Sequence, residues 1–188
     1  MTSGAFDRVT NVIEMFRWRP ELDVDQIPAP QRISPFAYAI EAIVVSSADE
    51  EIGTGRLIVL HDPEGNLAWQ GTYRCVSYAR ADVDVEMVTD PLLAEVGWTW
   101  LTDALHGAGA EYGEASGTVT AVSSRSFGEL EGEADRAEIE IRASWTPQMR
   151  NPDDFNAHLA AWQMLLCTTA GLPPLPEGII PLTSRLDR

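Results

Sequence analysis

The apolar positions change period several times along the chain, and each change marks an element. From Ser3 to Arg19, Phe6, Val9, Ile13 and Phe16 recur at spacings of three and four, which places them on one face of a helix that stops before Pro20. The next stretch, ELDVDQIPAPQRISP, mixes acids with prolines that cannot donate to a ladder, so residues 19–35 are expected to form an extended connector. At Phe36 the period becomes two. Phe36, Tyr38, Ile40, Ala42 and Val44 share one strand face, while Ala37, Ala39, Ile43 and Val45 beside Glu41 make the other face apolar enough to be covered as well.

A second strand is expected over Arg56–His61, after a turn around DEEIGTG. HDPEGN then offers Pro63 early and Gly65 late, the chemistry of a reversal. A third strand runs from about Ala68 to Asp82, with Gln70, Thr72, Arg74, Val76, Tyr78 and Arg80 facing away from Trp69, Tyr73 and Cys75.

TDPLLAEVGWTWLTDALHGAGA is the clearest helix. Asp90 can cap it, Pro91 suits its first turn and Gly107 offers a stop, with Leu93, Val96, Trp100, Leu101, Ala104 and Leu105 as its apolar stripe. SGTVTAVSSRSF and RAEIEIRASW alternate with period two and read as two further strands joined by the acidic loop GELEGEAD. A last helix starts near Asn151 and Pro152, carries Phe155, Leu159, Trp162, Leu165 and Leu166 inward, and ends at Gly171. The order predicts a single α+β domain over residues 1–188, with an antiparallel sheet and elements in the sequence helix, three strands, helix, two strands, helix. Residues 171–188 open with GLPPLPEGIIP. Leu172, Leu175, Ile179 and Ile180 are too aliphatic for a freely solvated ligand arm, so this segment reads as an ordered proline-rich strap packed on its own domain or on a twin subunit.

Composition narrows the chemistry. With 188 residues, 45% of them hydrophobic, the chain can bury one good core. The formal net charge is -16, and all 13 basic residues are arginines. A lysine Schiff base, a P-loop lysine and a lysine general base are thereby excluded. Phosphate backbones are repelled by such a surface, so no direct nucleic-acid grip is expected. No apolar run is long enough for a membrane span and no signal-like segment opens the chain, so a cytoplasmic protein without membrane attachment is expected. Cys75 and Cys167 lie among apolar neighbours, as small buried thiols do.

Candidate chemistry is sparse. His61, His106 and His158 have no second histidine or cysteine at metal spacing, and structural roles are expected for them. Asp82, Asp84 and Glu86 fall on one face if DVDVE is extended, which suits either a cation cluster or a solvated edge. Ser123, Ser124 and Ser126 lack the glycine context of a nucleophile elbow. No catalytic residue, metal ligand or cofactor is assigned. Trp98 and Trp100 point about 200° apart on one helix, so one core cannot take both; Trp98 belongs either to a second layer or to an interface.

The segments IPAPQRISPFA, GTGRLIVLHDPEGNLAWQGTYRCVSYARADVDVEM, TDPLLAEVGWTWLTDAL, EIRASWTP and LLCTTAGLPPLPEG together resemble an uncharacterised actinobacterial family known only as a domain of unknown function. The resemblance covers nearly the whole chain after about Arg19. It implies a stand-alone cytosolic protein linked to RNA-processing proteins, and it transfers no site residue. The element order is also similar to that of type III secretion chaperones, which implies a dimeric binding module by topology alone.

Three readings follow. The first is a non-enzymatic, chaperone-like acidic interaction module, a homodimer that binds a basic or RNA-associated protein through apolar surface including Trp98, Leu172 and Leu175. The second is a small-molecule-binding protein or enzyme with a pocket between sheet and helices, where Arg74, Arg80 or His61 contacts an acidic ligand. The third is a metal-dependent hydrolase using Asp82, Asp84 and Glu86.

Overall fold

The computed structural model describes residues 4–175. Helix α1 (Gly4–Met15) buries Phe6, Val9 and Ile13 as their spacing predicts, but it ends before Phe16 instead of running to Arg19. The expected connector contains a strand. β1 (Leu22–Ile27) pairs antiparallel with β2 (Phe36–Val45), Leu22 opposite Val44 and Ile27 opposite Ala39. Leu22 and Val24 turn to the core while Asp23 and Asp25 turn outward. The acids that suggested a loop therefore mark a sheet edge, and Pro28 follows directly on the last paired residue.

Both turns expected in the next segment move. The chain reverses at Ser46–Glu50, where the Ser46 N–H donates to the Glu50 carbonyl (2.8 Å). β3 (Glu51–Asn66) therefore includes Gly53 and Gly55. Those glycines serve packing instead of turning: a Cβ on Gly55 would lie 2.3 Å from Leu166 Cδ2. HDPEGN is likewise strand, with a register irregularity between His61 and Asn66, and the reversal into β4 (Gly71–Val83) is made by residues 67–70.

After β4 the chain makes a single helical turn, α2 (Val85–Val88), and then α3 (Leu93–Gly107). Asp90 Oδ1 accepts from the Leu92 N–H (2.9 Å), and the left-handed stop residue is Gly109 (φ 70°) instead of Gly107. Gly97 replaces Val96 in the buried stripe, where a Cβ would come within 3.1 Å of Val119 Cγ1 and 3.3 Å of Ile139 Cδ1. β5 (Tyr112–Ser124) and β6 (Arg136–Pro147) follow, joined by an exposed loop with a 3₁₀ turn at Gly128–Leu130. Asn151 and Asp154 form a reciprocal cap ahead of α4 (Phe155–Thr169), which ends where Gly171 turns left-handed (φ 75°) and Leu172 N–H reaches the Cys167 carbonyl (2.8 Å).

The sheet is antiparallel throughout, in the order β1-β2-β3-β4-β6-β5. The architecture is α+β as expected, with six strands in place of five and four of them before α3. Helices α1, α3 and α4 cover one face. Trp145, Trp162, Phe155, Leu57, Leu101, Ile139 and Ile141 are fully buried there and pack the centre of the layer between sheet and helices. The other face carries no described helix. Ala39 alone fulfils the expectation that β2 is buried on its second side, since Ala37, Ile43 and Val45 remain partly open.

Candidate functional site

Strand alternation sends every second residue of β2–β6 to the open face, and the antiparallel register aligns those residues into rungs. One rung runs Glu41, Arg56, Tyr78, Arg142, Thr118; the next, towards the β4 N-terminus, runs Ala39, Ile58, Val76, Ser144, Ser116. Arg80 stands one rung further on the other side, opposite Thr54 and Glu140. The twisted sheet leaves a cleft of about 830 Å³ against these rungs, with Ile58 and Val76 as apolar floor and arginines and hydroxyls around it.

Three of the arginines are paired with carboxylates, two on a neighbouring strand and one on the same strand. Arg56 Nε donates to Glu41 (2.7 Å), Arg80 forms a two-pronged pair with Glu138 (2.8 Å for Nε), and Arg142 reaches Glu140 (3.4 Å). The Arg142 guanidinium also lies 5.4 Å from the Tyr78 ring centroid, while the Tyr78 hydroxyl donates to Glu140 (3.1 Å). The hydrogen bond to Arg80 is the main influence holding the Glu138 carboxyl below its ordinary range.

Arg74 is different. It is only 8% exposed and forms no ion pair among the described residues. Its Nη1 donates to the Glu114 carbonyl (2.8 Å) and Thr146 Oγ1 (2.9 Å), and its Nη2 donates to Ser144 Oγ (2.7 Å) with Ser116 Oγ at 3.5 Å. Two of those acceptors, the Glu114 carbonyl and Ser116, flank a bulge in β5. Gly113 faces Thr146 and Ser116 faces Ser144, so β5 spends one extra residue there, and Glu114 takes a left-handed backbone (φ 50°). Burial lowers the guanidinium's affinity for its proton; the Glu114 charge offsets part of this without making contact.

The residues singled out from sequence do not converge. Arg74 and Arg80 share the open face, but His61 faces the helices, stacked on Phe6 and Tyr73, with its Nδ1–H directed at the Thr72 carbonyl (2.9 Å). Burial pulls its pKa down. Trp98 is half-buried and packs inside the monomer: its Cζ3 would lie 2.8 Å from a Cβ on Gly117. Trp100, expected in the core, is also only partly buried. Leu172 packs against the core, Leu175 is exposed and ends the described residues, and the rest of the expected strap lies outside them. The strap's first residues are held by the buried Arg19, whose Nη1 donates to the Pro173 carbonyl (3.1 Å). Asp82, Asp84 and Glu86 do not form a cluster, because the chain turns helical at Asp84; among the described residues no three acidic, histidine or cysteine side chains are gathered as metal ligands.

Both thiols are buried, and burial pushes Cys167 up to about 11 and Cys75 further still. His158 is buried beneath β6, where its Nδ1 accepts from Trp145 Nε1 (3.1 Å), and burial pulls its pKa down to about 4. Sequence reasoning missed Arg56, Arg142, Tyr78, Ser116 and Ser144 as companions of Arg74 and Arg80. Their polar phase in alternating strands was readable; the register that unites them was not. Among the described residues no helix is long and apolar enough to cross a membrane.

A family model described as "Protein of unknown function (DUF3000)" matches residues 2–180. No curated protein and no solved structure matches the chain, so the likeness of element order to type III secretion chaperones gains no structural counterpart.

Proposed function

From the premise that the chain belongs to the DUF3000 family, which assigns it no chemistry, we propose that it is a non-enzymatic binding module whose recognition surface is the open face of its sheet. One observation carries this reading: the helices cover a single face, and the uncovered face forms an arginine- and hydroxyl-lined cleft of about 830 Å³ with an apolar floor, inside the size range of small-molecule sites. The polar groups there are guanidinium groups held by carboxylates, and hydroxyls, arrangements suited to holding a ligand. Native mass spectrometry of the protein drawn from the cells that make it tests the reading. The chain is expected to carry a non-covalent adduct that disappears in Val76→Trp, which fills the cleft from a half-buried position. An adduct retained by a folded Val76→Trp would contradict the placement.

A second reading concerns self-association. β5 is a 13-residue edge strand whose stretch from Ala115 to Ser124 carries no charge, on a chain of net charge -16. Exposed edges are usually blunted by charge or proline, as β1 is by Asp23, Asp25 and Pro28. An uncharged edge can meet its own copy antiparallel without like-charge opposition, and a homodimer paired along β5 is the arrangement this favours. Sedimentation equilibrium should then show a dimer that Val122→Glu converts to monomer; a monomeric wild type at high concentration rules the pairing out.

A further inference from the structure

Resting on the open-face cleft as the recognition surface, we infer that its occupant is an amphipathic organic anion, with a carboxylate or phosphate head against Ser116 and Ser144, behind which lies the Arg74 guanidinium, and an apolar body along Ile58 and Val76.

The charge pattern points there. On the open face Arg56, Arg80 and Arg142 each have a carboxylate partner, in Glu41, Glu138 and Glu140. Arg74, the most buried of the set, has none. A buried guanidinium whose direct partners are all neutral, with the Glu114 charge acting only from a distance, is incompletely compensated, and such charges are costly unless a partner arrives. Replacing it by an apolar residue would remove that cost, yet the fold instead bends β5 into a bulge, with Glu114 at positive φ, to bring acceptors to it. Strained, bulged backbone around an unpaired charge belongs with ligand sites more than with scaffold.

Geometry fixes which end is available. Nη1 is turned to Thr146 and the Glu114 carbonyl, away from the cleft floor, whereas Nη2 is turned to Ser116 and Ser144, both of which line the cleft. The Ser116 contact is long at 3.5 Å, and the two hydroxyls lie 3.4 Å apart. Each hydroxyl that accepts from Nη2 still has its own O–H to donate, so an anionic oxygen entering from the cleft meets two O–H groups polarised by the guanidinium behind them. On the same rung as Ser144 and Ser116, Val76 and Ile58 continue the cleft floor away from that point with no charged group, which sets a dry path for an apolar body. The head and body are therefore specified by adjacent residues of one rung.

Calorimetric titration with octyl phosphate, octanoate and octyltrimethylammonium tests the inference on the full chain. The wild type is expected to bind at least one of the two anions and not the cation; stronger binding of the phosphate or of the carboxylate identifies the head group, and either supports the inference. Ser144→Asp places a carboxylate at the position whose native hydroxyl lies 2.7 Å from Nη2. It should reduce anion affinity roughly ten-fold or more, with a melting temperature no lower than wild type. Arg74→Met should lose the anion, and Arg125→Ala, paired with Asp135 outside the cleft, should bind as wild type. Should Arg74→Met fail to fold, Ser144→Asp and the equivalent Ser116→Asp carry the test by themselves. Equal affinity for anion and cation overturns the anionic head while leaving the cleft as the binding surface. Unchanged anion binding in both aspartate variants also overturns it. Absence of binding by every probe at millimolar concentration overturns both the anion and the cleft.

Discussion

The two faces of this sheet are built by the same strands and stabilised by opposite means. On the helix side β6 presents Ala137, Ile139, Ile141, Ala143 and Trp145, all buried; on the open side the same strand presents Glu138, Glu140, Arg142 and Ser144. Burial dominates on the first face, since a buried aromatic or aliphatic side chain stabilises by about 1.5–3 kcal/mol. On the second face half-solvated ion pairs dominate, and such pairs contribute about 0–1 kcal/mol each. The open face is thus dispensable for folding at most positions. Its one expensive feature is Arg74, and an expense without a folding return is the feature that a ligand explains.

The contrast can be broken most sharply on the helix side. Trp145→Ala removes a fully buried indole and its hydrogen bond to His158, and should lower unfolding free energy by about 3–5 kcal/mol in urea denaturation. A loss near that of an open-face change would show that the core is not where stability resides.

The next effect is one of pH. His158 has its folded pKa depressed to about 4, against about 6.5 unfolded. As pH falls below about 6.5 the unfolded state takes a proton that the native state refuses, so stability declines progressively until about pH 4, by about 3 kcal/mol in all. His61, also depressed by burial, acts in the same direction. Urea midpoints at pH 7 and pH 4.5 should differ, and less so in His158→Gln, whose amide oxygen can accept from Trp145.

The smallest effect belongs to the open face. Glu138→Gln breaks the Arg80 pair at a part-exposed site and should change stability by less than about 1 kcal/mol, less again in high salt. Its value lies in the comparison: a large loss would mean that the open face is structural scaffold.

The sequence was legible wherever local pattern and tertiary role coincide. α1, α3, α4, β2 and β6 carry unbroken periodicity, and they form where the spacing places them. It misled where a residue type has two uses. Gly53 and Gly55 resemble a turn, yet they are strand residues; Gly55 is thinned so that Leu166 of α4 can approach, and Gly53 lies close to Ala170 and the Arg80 carbonyl. Asp23, Asp25 and Pro28 resemble a linker, yet they guard the edge at β1, and the alternation in LDVDQI was the available clue. HDPEGN resembles a hairpin turn, yet β3 passes through it with an irregularity. Arg74 and Arg80 were legible as polar-phase residues. That Arg74, unlike Arg56, Arg80 and Arg142, has no carboxylate partner among the described residues depends on register across β4, β5 and β6 and on a bulge at Glu114, neither of which is written in any one strand.

The most direct measurement is a methyl-labelled NMR titration with octyl phosphate, which reports on both faces of the sheet at once. The expected result is that Ile58 and Val76 methyl signals shift saturably while Leu57 and Val59, their neighbours on β3 that face the helices, stay in place. Shifts confined to Leu57 and Val59, or no saturable shift on the open face, would contradict the assignment of that face as the binding surface.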